Sequence, residues 1–72
     1  MDISTIIEKL PEMHRGILER TMEIIEDSNN EVTRTAMCSR LYGQADILLA
    51  QRLITASEYI FIVRWRGKQC GA

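Results

Sequence analysis

The sequence predicts an all-α fold, a small bundle of three to four helices over about 3–10, 11–27, 29–54 and 56–66, completed by dimerisation. Three observations carry this prediction. Apolar residues recur at the three-to-four-residue spacing of a helix face along most of the chain. Two Ser/Thr-x-x-Glu boxes, Ser28–Glu31 and Thr55–Glu58, mark helix starts at which each side chain satisfies an orphan backbone N–H of the other. Finally, 72 residues allow one helical domain over 1–72, with 67–72 as a frayed tail.

Each element has its own signals. Asp2 or Ser4 caps a first helix whose Ile3, Ile6, Ile7 and Leu10 fall on one side. Pro11 breaks it or opens the next helix at its first position, where a missing N–H costs nothing. Through Asp27, Leu10, Met13, Ile17, Leu18, Met22, Ile24 and Ile25 keep the helical period, and Glu12, Arg15, Glu19, Arg20, Glu23 and Glu26 fill the opposite face. Gly16 weakens this helix by about 1 kcal/mol relative to Ala, unless another helix passes close to it.

The third helix starts at the Ser28–Glu31 box and runs to about Ile54. Val32, Thr35, Cys38, Leu41, Tyr42, Ala45, Leu48, Leu49 and Leu53 form one stripe, and Ile47, Ala50 and Ile54 add a second on another face. A helix apolar on two faces is central in a bundle or buried at an interface. The Thr55–Glu58 box starts the last helix. Tyr59–Val63 is rich in strand-favouring residues, but a strand would have no partner in this chain, and even a lone hairpin is marginal in water. The cap therefore decides for helix, and Gly67 is the expected stop.

From Ile47 to Trp65, thirteen of nineteen residues are hydrophobic, including three of the four aromatics. A domain near this size buries only about 60–65% of its unfolded surface. The surplus implies association, and Ile47, Ala50, Ile54, Tyr59, Phe61, Ile62 and Trp65 are the expected contact residues. A homodimer is the first expectation and a larger protein partner the second. The window is no membrane span, because Gln51, Arg52, Glu58 and Arg64 interrupt it.

Net charge is −1, but the halves differ. Residues 1–31 hold eight acids and three bases, while residues 32–72 hold six bases and two acids. Either the basic half faces an acidic partner or nucleic acid, or acidic and basic helices attract each other within the fold. Arg34, Arg40, Arg64, Arg66 and Lys68 are the candidate contacts for such a partner. In Arg64-Trp65-Arg66-Gly67-Lys68 the cations and the indole suit phosphates and a stacked base, in weak, salt-sensitive binding. Equally, Trp65 closes the core edge while the cations offset a helix C-terminal dipole.

Reaction chemistry finds little support. His14 is the sole histidine, Cys38 and Cys70 make no CxxC, and the four glycines are isolated, so no catalytic residue, metal ligand set or cofactor is expected. Two cysteines are too few for a disulfide framework, and the chain opens Met1-Asp2-Ile3-Ser4 rather than with a basic leader. The expectation is a cytoplasmic protein with free thiols, Cys38 buried and slow to react, Cys70 exposed and fast.

Leu18-Glu19-Arg20, Tyr42-x-x-Ala45-Asp46, Leu49-Ala50 and Ser57-x-Tyr59-x-Phe61-Ile62 span some 45 residues with gaps. In these short motifs the chain resembles the Hha/YmoA proteins, small all-helical enterobacterial modulators that act by binding a DNA-organising protein. Where that family has a charged His-Arg pair after the Asp, this chain has Ile47-Leu48. The leading functional expectation is a non-enzymatic interaction module: a regulator, adaptor or inhibitor. The alternative is a nucleic-acid-associated modulator, acting through its basic half or, as the resemblance implies, through a DNA-binding protein.

Overall fold

Four α-helices follow one another along the chain: α1 (Ile3–Glu8), α2 (Glu12–Asp27), α3 (Glu31–Ala50) and α4 (Ala56–Cys70). The computed structural model describes residues 2–70, with side chains for residues 2–65. No strand occurs among the described residues, and Tyr59–Val63 is helical. No described helix is long and apolar enough to cross a membrane.

The helix starts are set by side chains that accept free backbone N–H groups. The Asp2 carboxylate accepts from the Ser4 N–H at 2.7 Å and opens α1. Pro11 precedes α2 without a side-chain cap. At α3 the expected Ser28–Glu31 box does not form, because Asn30 occupies the capping position and accepts from the Thr33 N–H at 3.1 Å. Ser28 serves the turn instead: its hydroxyl accepts from the Asn30 N–H and donates to the Asn30 carbonyl. Asn and Ser cap about equally well, so proximity to the first turn decides. At α4 the reciprocal box is complete. Thr55 Oγ1 accepts from the Glu58 N–H, and Glu58 Oε1 accepts from the Thr55 N–H at 2.8 Å.

Two helix ends differ from expectation. The third helix stops at Ala50, not Ile54, because Arg52 takes a left-handed conformation with φ of 59°. The Arg52 N–H then bonds the Leu49 carbonyl and the Leu53 N–H bonds the Leu48 carbonyl, a Schellman termination. An L-residue there costs roughly 1–2 kcal/mol that glycine avoids. The turn points Ile54 into the core, where it is 4% exposed. In contrast, α4 runs through Gly67 to Cys70, beyond the expected stop and into the expected frayed segment. Residues 71–72 lie outside the described residues.

α3 is the central element and packs on both α2 and α4. Its inward stripe of Cys38, Leu41, Ala45 and Leu48 is almost wholly buried, against Leu18, Met22 and Ile25 of α2 and Ile62 of α4. α1 packs on α2 and α4 and makes no close approach to α3, so Ile6, Ile7 and Leu10 close the core from that side. Each large aliphatic residue so buried contributes on the order of 1.5–3 kcal/mol. An ion pair from Lys9, just after α1, to Glu58 ties the two covering helices together. The Lys9 ammonium, with the amide and hydroxyl of Thr55, holds the Glu58 carboxyl below its ordinary range against the opposing effect of burial.

No helix passes close to Gly16: a Cβ built there, or on Gly43, meets nothing within 4 Å. The cost of Gly16 to α2 is therefore uncompensated among the described residues. The caps carry the testable consequence. Asn30→Ala should lower stability by about 0.5–2 kcal/mol in urea denaturation, and Ser28→Ala by clearly less. Equal losses, or a larger loss at Ser28, would contradict the assignment of Asn30 as the cap.

Candidate interaction surface

Each pair of neighbouring long helices leaves an outer seam, and the three seams are treated differently. α1 covers the one between α2 and α4. On the α3 side facing α4, Tyr42 and Tyr59 meet edge to face with ring centroids 6.1 Å apart. Among the described residues the seam between α2 and α3 has no such cover. Ile17 (45% exposed) and Ile47 (54% exposed) line an apolar recess of about 180 Å3 there, together with Leu18, Leu48, His14 and Gln44. Met13, 74% exposed, stands one turn before Ile17 on the same side of α2.

The recess continues along the seam. A neighbouring depression of about 100 Å3 shares Ile17 and Thr21 with the seam and adds Ile24, Met37, Arg20 and Arg40. Around Ile24 the groove opens among Arg20, Glu23, Asp27, Ser28 and Thr33. A hydrogen-bond chain beneath the seam fixes the helix separation. Thr21 Oγ1 donates to the Ile17 carbonyl and accepts from Gln44 Nε2, both at 3.0 Å. The single hydroxyl proton is thereby used, so Gln44 must present its amino group, and its Oε1 stays buried without a donor.

The residues expected at a contact surface divide into three groups. Ile54 and Ile62 are 4% and 1% exposed, members of the chain's own core, and cannot line an outer surface. This corrects their assignment: the Arg52 turn and the inward face of α4 bury them. Tyr59, Phe61 and Trp65 are half-buried and pack against that core. Only Ile47 and Ala50 are exposed. The apolar surplus of the C-terminal third is thus largely absorbed by α3 and α4 packing together, and the larger uncovered face lies on α2 and α3.

The basic candidates do not form one patch. Arg34 and Arg40 lie about 120° apart around α3 at 3.6 residues per turn. Arg34 is half-buried, donating through Nη2 to the Ser28 carbonyl with its Nε buried and unpartnered. Arg40 stands at the seam, and Arg64 is exposed on α4. The side chains of Arg66 and Lys68 lie outside the described residues, so the Arg64–Lys68 cluster is described only for Arg64 and Trp65.

Among the described residues no group of His, Cys, Asp or Glu is arranged to hold a metal. Cys38 overturns the free-thiol expectation, being 1% exposed and disulfide-bonded. The side chain of Cys70, and with it the expectation of a fast-reacting thiol, lies outside the described residues.

Met13, Ile17, Arg20, Ile24 and Met37 were not among the expected site residues. The signal was present in α2, where Met13, Ile17 and Ile24 sit roughly 100–140° around the helix from Leu18, too far to share one buried stripe. In α3 the same reading holds for Ile47.

The disulfide gives a direct test. Without reductant the folded protein should take up no thiol reagent at Cys38, and after reduction labelling should remain slow until the fold is opened. Rapid labelling of Cys38 in untreated protein, located by peptide mapping, would contradict the bond. Comparisons with protein families, with curated proteins and with solved structures return no match, so the resemblance to the Hha/YmoA proteins gains no support.

Proposed function

We propose that this chain is a non-enzymatic protein–protein interaction module, a regulator, adaptor or inhibitor that docks through the seam between α2 and α3. One observation carries the reading: Met13, Ile17 and Ile47 stand exposed along an apolar groove that no other helix covers among the described residues. Burying such surface on a partner is favourable at about 25 cal/mol per Å2, before the costs of association. Large apolar residues grouped on one face mark association sites, whereas single exposed ones need no explanation.

Self-association is the second reading, supported by exposed Ile47 and Ala50 and by Ile60, 50% exposed on α4. The nucleic-acid reading draws on Arg40 and Arg64, and the separation of Arg34 from Arg40 weighs against one basic face. For the compartment, composition fits a cytoplasmic chain, while the disulfide at Cys38 fits an oxidising one.

The test is site-specific photo-crosslinking in host cells. A photoreactive residue replacing Met13 should yield a discrete adduct, lost on adding Ile17→Asp, whereas the same group replacing Glu26 on the acidic side of α2 should yield none. Equal adducts at both positions, or none at Met13, would remove the seam as the docking surface.

A further inference from the structure

Two cations frame the middle of the seam. Arg20 from α2 and Arg40 from α3 line one depression with Ile17, Ile24 and Met37 between them. Both are exposed, and among the described residues the one ion pair is Lys9–Glu58, on the covering side of the molecule. The seam is therefore an apolar channel with two exposed guanidinium groups at its centre, neither of them in an ion pair among the described residues. At the end beyond Ile24 the charge is mixed, where Arg20, Glu23 and Asp27 line one opening. α2, at 16 residues, gives the channel a length of about 24 Å, enough for roughly four turns of a helix.

We propose that the seam receives an amphipathic helix of another protein, with its apolar face on Ile17, Ile24, Met37 and Ile47 and acidic residues of its middle turns opposite Arg20 and Arg40. This rests on the docking reading above and adds the chemistry of the partner. A helix laid in a groove offers apolar anchors at three- and four-residue spacing, which is the shape of a channel between two antiparallel helices. Carboxylates beside those anchors meet guanidinium groups that make no ion pair among the described residues, and orient the incoming helix. A second copy of this chain fits less well. A two-fold axis through the middle of the seam sets the Arg20 and Arg40 of one copy against those of the other, like charges facing each other.

The test uses the full chain and two fluorescent peptides of about 16 residues, long enough to fill the groove. Both carry leucines at three- and four-residue spacing, flanked in the central turns by glutamates in one peptide and lysines in the other. Anisotropy titrations should show the glutamate peptide binding about tenfold tighter, the worth of two exposed charge pairs, with the gap narrowing as salt rises. Arg20→Glu combined with Arg40→Glu should reverse the order, and Ile17→Ser combined with Ile47→Ser should weaken both peptides. All four positions are exposed, and circular dichroism verifies that each variant is folded. Equal binding of the two peptides, abolished by the serine variant, would overturn the acidic preference while leaving the seam a docking surface. Binding of neither peptide would overturn the helical occupant, with the crosslinking at Met13 still deciding the docking reading. A dimer in sedimentation that the serine variant converts to monomer would also overturn it, by making a second copy the occupant.

Discussion

The fold depends on one element having two neighbours. α3 places Cys38, Leu41, Ala45 and Leu48 on an inward arc that α2 and α4 both pack against, and all four are at most 2% exposed. Without that arc the other helices have little to hold them. α1 is only six residues long, far below the length at which an isolated helix persists in water. It is held by the burial of Ile6 and Ile7 and by the Lys9–Glu58 contact onto the start of α4. The same central position leaves α3 with arcs to spare. One turns to α4 and is finished by the tyrosine pair, while the other, with Arg40 and Ile47, lies at the open seam.

Much of the architecture is legible in the residues, because local chemistry decides it. The Thr55–Glu58 box fixes the start of α4 and overrides the strand preference of Tyr59–Val63. Helix ends are less legible. Ser28 and Asn30 both suit a cap, and which of them acts depends on the path of the turn. Arg52 in a left-handed conformation has no sequence signal, since glycine or asparagine is the usual residue there. That single turn moves Ile54 from a presumed outer stripe into the core.

The site was harder to read for a related reason. A count of apolar residues along the chain points to Ile47–Trp65, yet burial depends on which arcs meet. Ile62 and Ile54 vanish into the core, and Phe61 and Trp65 pack at its edge. Met13 and Ile17, in a less apolar helix, stay exposed because the arc they occupy is turned from the buried stripe at Leu18 toward the open seam. Apolar density along the chain and uncovered apolar surface are different quantities. The disulfide at Cys38 is likewise a tertiary fact, which a count of cysteines does not encode.

Solvent exposure of individual isoleucine methyls tests the account most directly. With the isoleucines methyl-labelled, a soluble gadolinium chelate should strongly broaden the NMR signals of Ile17 and Ile47 and leave those of Ile54 and Ile62 sharp. Broadened Ile54 and Ile62 with protected Ile17 and Ile47 would contradict it, returning the uncovered surface to the C-terminal third.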